Sequence, residues 1–346
     1  MTLSGNADGH DPRALAVGGT ARERGTEVGA RDDAAGEVVP ARPPSGGRSR
    51  RQQGENLWGY LFLAPWFLGL FALTLGPMLA SLYFSFTDFD LLTAPTWVGL
   101  ENYVRMFTED PRYMQSLKVT FIYVALSVPL ELAFALLVAV LLNRGIRALG
   151  TYRAIYYLPS LLGGSVAIAI MWRQVFGGDG LFNQFLALLG WETAPSWIST
   201  PGTALYTLVL LRVWQFGSPM VIFLAGLRQI PQELYDAAAV DGAGKVSRFL
   251  RITIPLLTPI IFFNLVLQLI RAFQAFTPAF IVSGGSGGPS DSTLFYTLYL
   301  YQEGFANFRM GYAAAMAWVL LLIIGTFTAA NFLMSRYWVH YEDDGR

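Results

Sequence analysis

The sequence contains no cysteine. That excludes a disulfide framework, a thiolate nucleophile and a cysteine-ligated metal site, and it leaves the redox compartment unreadable. Histidine is almost as scarce. His10 and His340 lie near the two termini, and neither has a ligand neighbour at a usable spacing, so no metal site is expected. Charge is thin too: 14% of residues are Asp, Glu, Lys or Arg, against about 25% in a soluble domain. The 24 basic and 24 acidic residues cancel, which gives no reason to expect a nucleic-acid partner. What is present is apolar. Hydrophobic residues make up 53% of the chain and the mean hydropathy is positive, so lipid is the expected solvent for most of it.

Residues 1–54 have no apolar period and no aromatic residue. Such a segment buries too little surface to offset its ordering entropy, and it reads as a disordered cytoplasmic tail. No apolar stretch precedes Leu57, so a cleaved signal peptide is not expected. From Asn56 to Thr87 no charged residue occurs, which is longer than the roughly 20 residues needed to cross a bilayer. Spans are expected at about 57–86, 117–142, 152–176, 204–227, 252–282 and 310–335, within a membrane domain over 55–341. They lack strict alternation and are too long for barrel strands, so the fold class is an all-α integral membrane protein of six transmembrane helices. Trp58, Trp172, Trp197, Trp214 and Trp338 fall mostly near predicted span ends, as interfacial aromatics do.

Six spans put both termini on one side. If that side is the cytoplasm, the inner positives are Arg48, Arg50, Arg51, Arg144, Arg147, Arg153, Arg228, Lys245, Arg248, Arg251 and Arg336. The outer ones are Arg105, Arg112, Lys118, Arg173 and Arg309. The inner excess predicts both termini cytoplasmic in a multi-pass membrane protein. It also places the loop 228–253 in the cytoplasm.

That loop encodes two short helices. Pro231 suits a first helical position, Gln232 and Glu233 the first turn, and Leu234 to Val240 continue with good helix formers. Asp241 and Gly242 break the run, and a second run from Ala243 to Ile252 precedes Pro255, which opens the fifth span. Ala237, Ala238 and Ala239 make the first arm narrow, which permits close approach to a partner. A bare connecting hairpin is the alternative. Gly244-Lys245 resembles the end of a phosphate-binding loop, but Ala239 stands where the first glycine belongs and Val246 where the hydroxyl belongs. A nucleotide site is therefore expected on another chain.

The loop resembles the EAA loop of binding-protein-dependent ABC-transporter permeases. Its pattern appears as Asp236-Ala237-Ala238, Asp241-Gly242-Ala243, Phe249, Ile252 and Ile254-Pro255, with Asp236 in place of the usual glutamate. Further patterns resemble the carbohydrate branch of that family, which includes maltose, glycerol-phosphate and lactose permeases. They are Trp97-Val98-Gly99-Leu100-Glu101-Asn102-Tyr103, Tyr152-Arg153, Leu158-Pro159, Gly180 with Asn183, and Phe273-Gln274-Ala275-Phe276. Gly287-Gly288-Pro289 with Thr293, and Gly311-Tyr312-Ala313-Ala314-Ala315, complete the set. The resemblance runs from about Leu57 to Trp338. It implies a type I importer permease fold and a non-enzymatic transport subunit with no cofactor of its own. The implied partners are a second homologous permease, a dimer of ATP-binding subunits seated on the loop, an extracytoplasmic solute-binding protein and membrane lipid. The implied cargo is a sugar, oligosaccharide or polyol.

Three ionisable residues fall inside predicted spans: Glu131, Arg212 and Arg271. Such residues are costly in lipid and are functional candidates by default. Asn264, Gln268 and Arg271 repeat at i, i+4 and i+7, with Gln274 following, and this stripe together with Arg212 is the expected solute path. Phe273, Phe276 and Tyr296 could stack on a sugar ring. Interhelical hydrogen bonding is the structural alternative for the stripe. Arg271 leaves open an anionic solute, a pair with Glu131 or a pair with the partner permease. An ion-coupled secondary transporter is the rival function. It would call for an acid or histidine relay and repeated halves, and only Glu131 is a mid-span acid.

Overall fold

The computed structural model describes residues 50–144, 149–191 and 194–339. It divides into two units, Met1–Phe62 and Leu63–Arg346. Of the first unit only residues 50–62 are described, and they are helical. The expected tail therefore lies outside the described residues up to position 49, as do His10 and His340, while 50–54 are helix rather than tail. Arg50, Arg51, Gln52 and Gln53 are good helix formers that extend the first span beyond its apolar residues.

In chain order, α1 (Arg50–Gly69), a π-helical turn (Leu70–Leu75) and α2 (Gly76–Phe84) make the first apolar helix. A ribbon of β1 (Thr87–Asp88) and β2 (Thr96–Trp97) leads to α3 (Glu101–Thr108) and the long α4 (Pro111–Leu142). Next come α5 (Leu149–Leu162), α6 (Val166–Phe176), α7 (Leu181–Leu188), α8 (Pro201–Trp214) and α9 (Gly217–Leu227). The short α10 (Gln232–Val240) is followed by α11 (Lys245–Arg248), a π-helical turn (Phe249–Thr253), α12 (Ile254–Phe273) and α13 (Thr277–Val282). Finally α14 (Tyr296–Tyr301) and a π-helical turn (Gln302–Ala306) precede α15 (Met310–Trp338).

Among the described residues, four helical stretches are long and apolar enough to cross a membrane: Gly59–Phe84, Pro111–Leu142, Lys245–Val282 and Met310–Trp338. Two more form only as bent pairs, α5 with the segment Val166–Leu188 at 94° and α8 with α9 at 42°, which gives six if each pair is one span. The expected third and fourth spans are thus each interrupted by a bend, where the sequence reading gives uninterrupted runs. In the third, Gly163 and Gly164 end α5 and the Ser165 hydroxyl accepts from the Ile168 N–H at 3.3 Å, starting a new helix. The fifth span differs as well. The expected second arm of the hairpin is not a separate helix but runs through the π-helical turn into α12. Proline lacks an N–H and crowds the carbonyl one turn back, and a wider turn relieves this. Pro77 and Pro255 each stand two residues after such a turn.

The bundle is built around α4. Ser116, Thr120, Tyr123, Ser127, Glu131, Ala135, Val138 and Leu142 recur every three or four residues and are all buried, while Leu130, Phe134, Leu137 and Leu141 face outward. Lipid tails are as apolar as leucine, so large apolar side chains gain little by turning inward, and small or polar ones make the helix contacts. α4 packs against α8, α9 and α12. Gly226 lets α9 and α12 approach, since a Cβ there would stand 2.0 Å from the Ile260 side chain. Two of the tryptophans pack against each other inside the bundle. Trp172 is buried and donates to the Thr207 carbonyl at 3.0 Å, and Trp214 packs beside it at the break in the fourth span.

Candidate functional site

Three interruptions of helical backbone meet around one cavity. They are Gly163 to Ser165 in the third span, Gln215 to Phe216 in the fourth and Gln274 to Phe276 in the fifth. The cavity has a volume of about 200 Å³ and is lined by Gly163, Gly164, Arg212, Gln215, Arg271, Gln274, Phe276 and Thr277, among others. Non-helical backbone at membrane depth is tolerated where it lines such a space or is satisfied by protein. Both conditions hold. Gln215 Nε2 donates to the Gly163 carbonyl at 3.0 Å, and the Thr297 hydroxyl donates to the Ala275 carbonyl.

Arg212 crosses the bundle. Its Nε donates to Glu131 Oε2 on α4 at 2.7 Å, and its terminal nitrogen donates to Gln268 Oε1 on α12. Glu131 is 2% exposed, so the pair joins three helices away from solvent. Arg271 and Gln274 are exposed, and Arg271 forms no ion pair among the described residues.

The expected stripe is therefore divided. Asn264 and Gln268 are buried in the bundle, where α12 packs against α4, α9 and α15. Only the last turn of α12 and the residues after it emerge into the cavity, bringing Arg271 and Gln274 together with Arg212. Neither amide atom of Asn264 has a hydrogen-bond partner among the described residues. Of the expected stacking aromatics, Phe276 lines the cavity. Phe273 and Tyr296 are core residues, and the Tyr296 hydroxyl donates to the Met316 carbonyl at 2.8 Å. Arg271 does not pair with Glu131; Arg212 takes that position.

The hairpin that joins the fourth and fifth spans carries Asp236, Ala237, Ala238, Asp241, Gly242 and Ala243 on an exposed arm. α10 ends where the Asp241, Gly242 and Ala243 N–H groups bond back to the carbonyls of Ala237, Ala239 and Ala238. Gly242 has φ +77°, a conformation in which a side chain would be strained. Asp236 accepts from Gln232 Nε2 one turn earlier at 3.2 Å. Leu234, Val240, Val246 and Leu250 are exposed apolar residues on or beside the hairpin, Val240 to 89%. Phe249 opens the π-helical turn and is half-buried. The Tyr235 hydroxyl lies 2.9 Å from the Thr253 hydroxyl, pinning the first arm to the second.

At the opposite end of α4, Asp110 caps the helix and accepts from the Tyr113 N–H at 3.0 Å. The Tyr299 and Tyr312 hydroxyls donate to its other oxygen, each at 2.6 Å. Burial pushes the Asp110 carboxyl up, but the hydrogen bonds from Tyr299, Tyr312 and the backbone outweigh it and hold it below its ordinary value. Arg112 meets Asp291 through two nitrogens at 3.0 and 3.2 Å, and Arg309 meets the buried Glu303 at 3.1 Å.

Several of the short sequence patterns serve this framework. Asn102 donates to the Ser85 and Thr87 carbonyls, both at 3.0 Å, fastening α3 to the end of the first span. Gly311 lets α15 touch the same place, since a Cβ would stand 2.0 Å from the Thr87 carbonyl oxygen. Asn183 gathers the carbonyls of Gly178, Ala194 and Pro195 and accepts from Trp197. Gln215, Gly163, Tyr235 and Asp110 escaped the sequence reading. The Gly-Gly-Ser interruption of an apolar run and the Asp-Pro helix start were the available signals for two of them.

Residues 111–337 match the model of a family described as the binding-protein-dependent transport system inner membrane component. The chain is 56% identical to the probable ABC transporter permease protein YesP of Bacillus subtilis, over 85% of this chain and 96% of that protein. It is 31% identical to the lactose transport system permease protein LacF of Rhizobium radiobacter (84% and 97% covered). It is 33% identical to the sn-glycerol-3-phosphate transport system permease protein UgpA of Pectobacterium atrosepticum (82% and 95% covered). Among solved structures, a bacterial alginate ABC transporter in complex with an alginate pentasaccharide-bound periplasmic protein shares the fold. The TM-score is 0.71 at 20% identity, covering 83% of this chain and 96% of that one.

Proposed function

The chain belongs to the binding-protein-dependent transport system inner membrane components, and we propose that it forms the membrane path for a sugar, oligosaccharide or polyol handed over by a solute-binding protein. The named relatives carry lactose and glycerol phosphate, which supports that class of cargo. As a permease subunit it performs no chemistry on its cargo. ATP hydrolysis belongs to a partner dimer, seated on the hairpin around Asp236 and Gly242.

The observation that carries this reading is the pairing of an exposed hairpin with a polar cavity on one continuous helix. Lys245 to Phe273 runs unbroken from the second arm of the hairpin to Arg271, and ends at the break at Gln274. A displacement of the arm by the ATPase acts directly on the wall of the cavity, which is how one site biases a two-state bundle. On this account both termini and the hairpin are cytoplasmic. The cavity is smaller than the roughly 300 Å³ at which ligand pockets begin. A second permease would supply the remaining wall.

The ion-coupled alternative asks for an acid that takes up and releases a cation. Glu131 is engaged by Arg212 and buried, which argues against that role. The proposal is tested by co-purification of the ATPase with Asp236→Lys and Gly242→Pro variants of the assembled transporter. Both should lose the ATPase while keeping the partner permease. Full retention of the ATPase by both variants sinks the docking assignment.

A further inference from the structure

Resting on the reading of the hairpin as cytoplasmic, we infer that the groove beside it is a binding site for an anionic phospholipid of the cytoplasmic leaflet, with the phosphate held between Arg144 and Lys245. The groove consists of two adjoining hollows that share Ala133 and Leu137. The first, of about 600 Å³, lies between the end of α4 and the second arm of the hairpin, where Val246 and Phe249 line it. The second, of about 520 Å³, continues between α4 and α8 as far as Leu130 and Tyr206. Among the described residues the lining holds two charges, Arg144 and Lys245, and both belong to the hollow beside the hairpin. Both are exposed, and the rest of the lining is apolar apart from the Tyr206 hydroxyl.

The order of these groups along α4 is that of a phospholipid. From Leu130 to Leu142 the helix rises about 18 Å, close to the roughly 15 Å of hydrocarbon in one leaflet. The apolar lining thus has the depth of an acyl chain, and the cations stand only at the end where a headgroup belongs. Leu130, Phe134, Leu137 and Leu141 are exposed on the outward face of α4, so a chain can enter sideways from the bilayer. A helix of a second permease is a poorer occupant. The cytoplasmic ends of membrane helices carry an excess of Lys and Arg, and such an end would bring like charge to Arg144 and Lys245. Anionic headgroups of the cytoplasmic leaflet attract basic residues instead. The two cations also stand on separate elements, Arg144 just after α4 and Lys245 at the start of α11, so one phosphate ties the bundle to the second arm of the hairpin.

The test counts lipid bound to the assembled, detergent-purified transporter by native mass spectrometry, comparing dioleoyl phosphatidylglycerol with dioleoyl phosphatidylcholine. The wild type should prefer the anionic lipid on the order of tenfold to thirtyfold, as two basic residues at an anionic headgroup imply. Arg144→Gln and Lys245→Gln should each lower that preference about fivefold, the scale of one such residue. Arg336→Gln removes an exposed cation in the last turn of α15, outside the groove, and should leave the preference unchanged. Ala133→Phe fills the join between the two hollows and should weaken retention of phosphatidylglycerol several-fold, because burial of the chain carries part of the affinity. Excess inorganic phosphate should not displace the lipid, since it has no chain to bury.

Equal retention of the two lipids by the wild type overturns the inference. So does a preference that survives both groove variants, one that falls equally in Arg336→Gln, retention indifferent to Ala133→Phe, or displacement by phosphate alone. If Arg144→Gln or Lys245→Gln strips the ATPase or the second permease from the purified complex, the cations serve that subunit and the inference also falls. Failure of the transport reading looks different: the wild-type chain co-purifies with no ATPase, whatever lipid it holds.

Discussion

Gln215 Nε2 donates to the carbonyl of Gly163 at 3.0 Å, tying the break in the fourth span to the break in the third. A Cβ on Gly163 would lie 2.2 Å from the Gln215 side chain, so the two residues hold their positions only as this pair. Gly163→Ala should lower the melting temperature of the purified complex, and Gln215→Ala should lower it by loss of the bond. The double variant should be less destabilised than the sum of the two, with a coupling on the order of 1 kcal/mol. Strict additivity would mean that the breaks are independent.

Arg212 and Glu131 form a buried pair whose partners come from α8 and α4. Removing one member leaves a charge without compensation. Arg212→Ala should destabilise the fold by about 3–5 kcal/mol, whereas Arg212→Met combined with Glu131→Leu should recover much of that loss. Denaturation of the detergent-solubilised complex measures both. If the double variant folds and still transports at the wild-type rate, Arg212 has no part in the path and serves packing alone.

Asp110 sets a pH limit at the end of the molecule opposite the hairpin. Its folded value lies below the ordinary 3.8 because two tyrosine hydroxyls and the backbone favour the carboxylate over the burial that opposes it. A group with a depressed folded value contributes its full stabilisation above the unfolded value and loses it as the pH falls through the folded one. The complex should therefore keep its melting temperature from neutrality down to about pH 4 and lose some of it below. Asp110→Asn should flatten that acid limb. An unchanged acid limb in Asp110→Asn would show that other carboxylates govern it.

Tyr235 fixes the angle between the arms of the hairpin through the Thr253 hydroxyl. Tyr235→Phe removes that bond without disturbing α10, whose end is set by Gly242. ATPase binding should persist while stimulation of hydrolysis by the loaded binding protein falls several-fold. Normal stimulation would assign the hairpin angle to the ATPase instead.

How far the sequence could be read follows the physics of each feature. The first, second and sixth spans were legible because Asn56 to Thr87, Leu117 to Leu142 and Met310 to Ser335 are long enough apolar runs to be unambiguous. The hairpin was legible because Asp241-Gly242 is a local stop signal, and Gly242 does take the positive φ that such a stop uses. The breaks at Gly163 and Gln215 were not read, since a hydropathy window averages over two or three residues. Nor was the division of the stripe. Asn264, Gln268 and Arg271 share a helix face by spacing, but where that face leaves the contact with α4 depends on tertiary packing. The pair with Glu131 was left open for Arg271 and not offered to Arg212 for the same reason: only the fold decides which arginine reaches α4.

Because the chain has no cysteine, a single one can be introduced without background. Val240, 89% exposed at the end of α10, is the position to use. Cross-linking of a Val240→Cys variant to single cysteines around the cleft of the ATPase, in the assembled transporter with and without ATP, tests directly that this hairpin couples the bundle to ATP. The account predicts an efficient cross-link whose preferred partner position shifts when ATP is bound. No cross-link in either state, with the complex intact, would contradict it.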